Sequence, residues 1–305
     1  MNYTKKQIAE ITQSQLIGDK NLHVQHIAFD SRNIYSVIKT AFIAINTTTN
    51  TGEKYIPQAI EKGIKIIISE NFYSEYEGIT WIIVEDSVKF LQDLAKYHVE
   101  KNTQLQTIGI TGSNGKTIVK EWLYFLLSPD YNIIRSPKSY NSQIGVPLSV
   151  IAINEKHNLG VFEAGISTVD EMQTLQKIIQ PTIGLLTNIG SAHDEGFENI
   201  GEKIKEKLQL FKDVDGLIYN KNKTIEQFLP SLGIPTSGTR NLFFFFFKDK
   251  EADVFIRKNV VLDKTHLMVH YQKENFEVKV PFLDDASVEN SIQCLMVLLY
   301  FGYSF

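Results

Sequence analysis

The chain of 305 residues is 43% hydrophobic and 22% charged, which describes a folded globular protein with room for two domains of ordinary size. A formal net charge of -4 excludes a broad electrostatic grip on nucleic acid, although a local basic pocket for a small anionic ligand stays open. The single cysteine, Cys294, excludes an internal disulfide framework and a thiolate metal cluster, and its apolar neighbours predict a core thiol in a reducing compartment.

The segment Met1 to Gln7 leads into mixed polar residues rather than an apolar signal core, so the expected location is cytoplasmic. Thr4 followed by Gln7 has capping-box spacing and predicts a helix over 5–13. Apolar runs at 41–45, 64–69 and 81–84 then read as strands, and 55–62 and 88–99 as helices, which together make a small α/β domain. A polar stretch, Glu100 to Gln106, marks the expected boundary, giving domains at 1–102 and 103–305.

From Thr107 the rhythm changes. Strands at 107–110, 132–135, 159–163 and 182–188 alternate with helices at 116–127, 142–151 and 169–179, a succession of βα units that predicts a mainly parallel sheet flanked by helices. Beyond Gly216 the pattern becomes strand-rich, at 242–247, 254–261, 266–271 and 276–280. The five phenylalanines Phe243 to Phe247 predict a strand buried on both faces. The most apolar stretch, Ile292 to Tyr303, contains Gln293 and Gly302 and is shorter than the roughly 20 residues a bilayer requires, so it reads as a core helix and no stable membrane insertion is expected.

The chemistry is concentrated in Thr111-Gly112-Ser113-Asn114-Gly115-Lys116-Thr117, which lies between a predicted strand and a predicted helix. Backbone N–H groups of a glycine-rich turn and a helix N-terminus form an anion site, a lysine adds a full positive charge, and a threonine hydroxyl can reach Mg²⁺. The common P-loop spacing would place glycine at position 110, where this chain has Ile110. Glu163 closes an apolar strand at the carboxyl edge of the predicted sheet, the usual ligand side. His193 follows another strand, and a lone histidine in such a loop is more often structural or solvated than a ligand.

Lys207 sits in what looks like a solvated charge run, Glu202 to Lys207. At roughly 100° per residue, Ile200, Ile204, Leu208 and Phe211 share an arc of about 80°, and Lys207 falls about 20° outside it. A lysine held there is shifted toward its neutral form or snorkels past the stripe.

These segments resemble a known family. Thr111 to Thr117 has the form found in the Mur ligases of peptidoglycan synthesis and their folylpolyglutamate synthase relatives. Ser139 to Leu148, Phe162 to Ser167 and Thr187 to Phe197 are similar to the branch that adds D-alanyl-D-alanine. The resemblance implies a P-loop-type central domain, ATP and two Mg²⁺ ions as cofactors, and UDP-N-acetylmuramoyl-tripeptide and D-alanyl-D-alanine as the molecules joined. It also implies that Thr117, Glu163, His193 and Lys207 hold metal, with Lys207 carbamylated, and that Lys116, Lys207 and His193 are catalytic. Gly112 to Thr117 would bind the phosphates, and Asn188 and Asn290 the adenine end. Asn141 and Ser142, with Ser31 and Arg32 in Phe29-Asp-Ser-Arg32, would contact the UDP-linked substrate.

Two positions depart from the family pattern. Glu289-Asn290 stands where the family usually has His-Asn, and Thr51-Gly52-Glu53 where it usually has Asp-Gly-His. For Glu289 and Asn290 a plain helix N-terminal position is the alternative. The family's third, C-terminal α/β domain is not expected within these residues, so the reading is of an incomplete ligase that binds nucleotide weakly when alone. A P-loop kinase or NTPase needs only the loop and a metal carboxylate but leaves 188–197 and the first domain unexplained. A non-catalytic binding module also stays open, as does another Mur or folylpolyglutamate-type ligase.

Overall fold

The computed structural model describes residues 1–34, 36–190, 196–234, 242–246 and 254–304, with 242–246 described in backbone alone. They form two compact units, Met1–Thr103 with Gln143–Glu155, and Gln104–Ser142 with Lys156–Phe305.

The first stretch runs β1 (Tyr3–Thr4), α1 (Lys5–Ile11), β2 (Gln15–Ile17), β3 (His23–Val24), β4 (His26–Ala28), β5 (Thr40–Ile43), α2 (Ile56–Glu61), β6 (Ile66–Ser69), β7 (Thr80–Ile83) and α3 (Ser87–Glu100). Thr4 starts α1 with the predicted capping box: its hydroxyl accepts the Gln7 N–H at 3.1 Å, and its own N–H donates to the Gln7 side chain at 2.8 Å. Asp86 caps α3 by accepting the N–H groups of Val88 and Lys89. The sheet order is β2-β7-β6-β5-β4, parallel except for β2, and its core gathers Phe42, Ile56, Ile67 and Trp81.

The chain continues with β8 (Gln106–Thr111), α4 (Lys116–Leu127), β9 (Ile133–Arg135), α5 (Gly145–Ile151), β10 (Leu159–Glu163), α6 (Glu171–Ile179), β11 (Ile183–Leu186), α7 (Ile200–Leu208), β12 (Gly216–Asn220), α8 (Lys223–Glu226), β13 (Leu242–Phe246), β14 (Val254–Val261), β15 (Lys264–Tyr271), β16 (Glu274–Val280) and α9 (Asp285–Tyr300). Although α5 lies among the second unit's elements in sequence, it belongs to the first, where it packs on α3. His98 of α3 helps hold that segment, with Nε2 2.8 Å from the Ile153 carbonyl and Nδ1 2.8 Å from the Tyr3 hydroxyl.

The second unit is built on a nine-stranded sheet ordered β16-β15-β14-β13-β12-β11-β8-β10-β9. Strands β9 to β14 and β8 run parallel, and the strand-rich segment extends the same sheet with antiparallel β15 and β16. The phenylalanine run forms β13 between β12 and β14, while its predicted two-sided burial and Phe247 lie outside the described residues. Ile108, Ile110, Val161, Leu185 and Ile218 are fully buried in one core with Val119 and Leu123 of α4 and Ile292 and Met296 of α9. Each such side chain contributes about 1.5–3 kcal/mol on burial, so the sheet is a rigid platform for the loops at its carboxyl edge. Cys294 lies in that core, and burial pushes its thiol pKa far up. Among the described residues no helix is long and apolar enough to cross a membrane.

Candidate active site

The chain leaves β8 between β10 and β11, on opposite sides of which the connections run, so the carboxyl end of β8 is a topological switch point. There the loop 111–117 turns into α4. Gly112 has φ of 144° and Gly115 φ of 84°, both in the left-handed region. A Cβ on Gly112 would lie 2.0 Å from Thr187 Oγ1, and one on Gly115 would lie 2.4 Å from Asn290 Oδ1. The loop therefore needs both glycines, and Asn290, buried on α9, packs directly beneath its last turn.

The end of β11 clamps this loop. Asn188 accepts the Ser113 N–H on its carbonyl at 2.8 Å and the Asn114 N–H on its side-chain oxygen at 3.0 Å. The Thr187 hydroxyl donates to the Asn114 carbonyl at 2.6 Å, and the Ser113 hydroxyl accepts the Gly190 N–H at 2.9 Å. Gln293 of α9 in turn donates to the Thr187 carbonyl. The loop is thus held in shape by neighbours on two other elements.

Lys116 folds back over the loop and donates to the carbonyls of Gly112 and Ser113 at 2.7 and 3.3 Å. Burial lowers its pKa, and nearby Glu163 opposes the shift. Thr117 donates from its hydroxyl to Glu163 Oε2 at 2.9 Å and lies 3.3 Å from the Ser139 hydroxyl. Glu163, at the end of β10, is fully buried. Its other oxygen, Oε1, is 2.9 Å from Nζ of the fully buried Lys120. That contact is ionic rather than an aligned hydrogen bond, because Lys120 donates to the carbonyls of Ser136 and Lys138. Asn141 lies on the same side, its carbonyl accepting the Gly165 N–H at 2.8 Å, and Ser142 follows it at the unit boundary.

Lys207 is buried, as the helical arc predicted, and donates to the Gly112 carbonyl at 3.3 Å. Burial, followed by the charges of Lys116 and Lys203, lowers its pKa to about 8. Ile200 differs from its predicted inward position: it is half exposed and faces a cavity of about 670 Å³ that it lines with Ile204, Asn188 and Glu289. His193 lies outside the described residues.

Sequence reasoning missed Lys120, Lys203 and Glu206, all buried. Lys203 donates to the Gly190 carbonyl, and Glu206 accepts the Met172 N–H at the start of α6. For Lys120 a signal existed: on α4 it falls on the same face as Val119, Leu123 and Leu127, the argument that located Lys207.

In the first unit, Ser31 is buried and donates to the Gln58 side chain at 2.6 Å. The exposed Arg32 forks onto Asp30 at 2.9 and 3.0 Å, and that pair is what raises the guanidinium pKa. Glu53, where the family pattern has histidine, is fixed by Asn71, Tyr73 and Ser69. The Asp30–Arg32 turn thus presents an arginine on a capped 3₁₀ turn.

A strand, a glycine-rich loop and a helix, with a buried carboxylate against the loop's threonine, define a P-loop-type α/β domain. The model of the Mur ligase middle domain matches residues 110–298, and the chain belongs to that family. Among curated relatives, UDP-N-acetylmuramoyl-tripeptide--D-alanyl-D-alanine ligase from Haemophilus influenzae is 28% identical over 300 residues, covering 97% of this chain and 64% of that protein. The crystal structure of MurF from Acinetobacter baumannii superposes with a TM-score of 0.87 at 24% identity, covering all (100%) of this chain and 66% of that one. MurF ligase from Thermotoga maritima in complex with ADP superposes at 0.77 and 24% identity, over 92% of this chain and 64% of that one. These likenesses establish the fold, and the chain spans under two thirds of the length of these three relatives.

Proposed function

We propose that the protein is an ATP-dependent carboxylate-amine ligase that adds D-alanyl-D-alanine to UDP-N-acetylmuramoyl-tripeptide in the cytoplasm. The observation that carries the reading is the contact of Thr117 with Glu163 at 2.9 Å beneath a loop that also holds Lys116 and Lys207. The names of the relatives support the choice of substrates.

The donor set suits a hard cation: Glu163 offers a carboxylate and Thr117 a hydroxyl, both oxygen ligands, and Mg²⁺ takes few protein groups. Mg²⁺ held there would offset charge on the phosphates. A carbamate on Lys207 would add a further oxygen ligand, and a lysine with pKa near 8 supplies the neutral amine that reacts with CO₂. His193 is the expected partner in that second metal position.

In the reaction the substrate carboxylate attacks the γ-phosphorus of ATP, the bond to the bridging oxygen breaks, and ADP leaves. The dipeptide amine then attacks the acyl phosphate, losing a proton and expelling inorganic phosphate. The Lys116 ammonium, rotating from the Gly112 carbonyl, would stabilise negative charge on the transferring group, the dominant form of catalysis in phosphoryl transfer. Gly112 to Thr117 would hold the phosphates through backbone N–H groups. Asn188 and Asn290 would stand at the adenine end, Asn141 and Ser142 at the substrate carboxylate, and Ser31 and Arg32 at the UDP end, with 1–102 as the substrate-binding domain and 103–305 as the ATP-binding domain.

Titration with UDP-N-acetylmuramoyl-tripeptide and with Mg·ATP tests the reading, followed by measurement of ADP formed with and without D-alanyl-D-alanine. Binding of both ligands is expected. A chain that binds Mg·ATP and ignores the UDP-linked tripeptide would be a generic P-loop NTPase instead.

A further inference from the structure

The cavity of about 670 Å³ lies at the carboxyl ends of β11 and β12. Ile200, Ile204 and Ile225 form its apolar wall, and Asn188, Asn220 and Glu289 are among its polar groups. Asn188 joins it to the phosphate loop, since its side-chain oxygen accepts the Asn114 N–H at 3.0 Å. With that oxygen engaged, the group Asn188 has left to offer a ligand is its NH₂ donor. The Asn220 NH₂ donates to Glu289 Oε1 at 3.3 Å.

Among the described residues that line the cavity, Glu289 is the one carboxylate. Burial raises its pKa, the Asn220 hydrogen bond opposes this, and Asp285 adds a like charge. A carboxylate in such a wall accepts hydrogen bonds and donates none when ionised, and a donor brought to it offsets its lost hydration. Set against the apolar wall, the Asn188 NH₂ donor and the Glu289 carboxylate acceptor complement the N7 edge of a 6-aminopurine, which carries a ring-nitrogen acceptor beside an exocyclic NH₂. On that N7 edge a 6-oxopurine presents two acceptors and would set its carbonyl oxygen against the carboxylate.

We propose that Glu289 is the residue that selects a 6-aminopurine nucleotide over a 6-oxopurine nucleotide in this cavity. The inference rests on the reading of the adjoining loop as an ATP site.

Calorimetric titration of the full chain with Mg·ADP, Mg·IDP and inorganic tripolyphosphate tests it. The two nucleotides differ at the purine 6-position, and tripolyphosphate reports the loop alone. The wild-type chain should prefer ADP by at least about tenfold, the contribution of one hydrogen bond to a charged group. Glu289→Gln, whose amide can turn its NH₂ toward a 6-oxo group, should narrow that preference at least about tenfold with tripolyphosphate affinity unchanged. Glu289→Ala should weaken ADP without tightening IDP. An unchanged ADP-to-IDP ratio in Glu289→Gln, or wild-type binding of both nucleotides alike, overturns the role of Glu289 while leaving the loop reading intact. A wild-type chain that binds neither nucleotide nor tripolyphosphate overturns the loop reading and this inference with it.

Discussion

Lys120 and Glu163 form an ion pair at 2.9 Å in which both side chains are fully buried. Lys120 also reaches Glu121 at 3.0 Å, whereas removing Lys120 leaves the buried Glu163 carboxylate without its ion-pair partner, so Lys120→Met should destabilise the second unit by roughly 3–5 kcal/mol. Glu163→Gln in the Lys120→Met background should recover part of the loss, because the uncompensated charge is gone. Urea unfolding of the four proteins measures the coupling. Additive effects would mean that the two charges do not support each other.

Lys116 is a different case, because it is half-buried and, among the described residues, donates to the carbonyls of its own loop. Lys116→Ala should leave the unfolding free energy within about 1 kcal/mol of wild type. The same variant should weaken Mg·ATP at least about tenfold through loss of a charge-assisted contact, and should lose ATP-dependent turnover. Retained affinity, read by calorimetry, would remove Lys116 from the nucleotide site.

The Lys207 pKa is lowered from 10.5 to about 8, first by burial and then by Lys116 and Lys203. The neutral amine therefore becomes the major form as pH rises through about 8, instead of only above 10.5. With ¹³C-labelled bicarbonate, a carbamate carbon resonance should grow between pH 7 and 9 and be missing from Lys207→Met. A spectrum identical in the two proteins would remove the carbamate.

Burial lowers the His98 pKa from 6.5 to about 4, with the Ile153 carbonyl opposing and the N-terminal charge adding to the shift. Between these values the unfolded chain binds a proton that the folded chain does not, so stability falls with pH in that window. The contribution is fully present above about 6.5 and is lost as pH falls toward about 4. Its upper bound is roughly 3 kcal/mol at 1.36 kcal/mol per unit. Thermal unfolding of wild type and His98→Gln from pH 7 to 4 should show the steeper acid loss in the wild type, and parallel curves would contradict it.

Much of the fold is legible because it is local. The helix over Lys116–Leu127 and the strands Leu159–Glu163 and Val254–Val261 have the residues their periodicity predicts, and Thr4 with Gln7 makes its capping box. The loop at 111–117 is also written in consecutive residues, two glycines, a lysine and a threonine, while its shape is held by Thr187 and Asn188 from the end of β11. Lys207 was found because a helix converts spacing into direction.

What the residues alone determined is therefore the βα rhythm, the loop and the inward turn of Lys207. Only the tertiary structure decided which distant groups meet: the sheet order that puts β8 between β10 and β11, Lys120 on Glu163, Asn188 on the Asn114 N–H, and α5 within the first unit. Such pairings depend on the packing of elements far apart in the chain, which periodicity cannot encode. Lys203 and Glu206 show the reason in one turn of helix. Each reads as a surface charge in sequence, and each is buried because a backbone group of another segment, the Gly190 carbonyl or the Met172 N–H, is there to receive it.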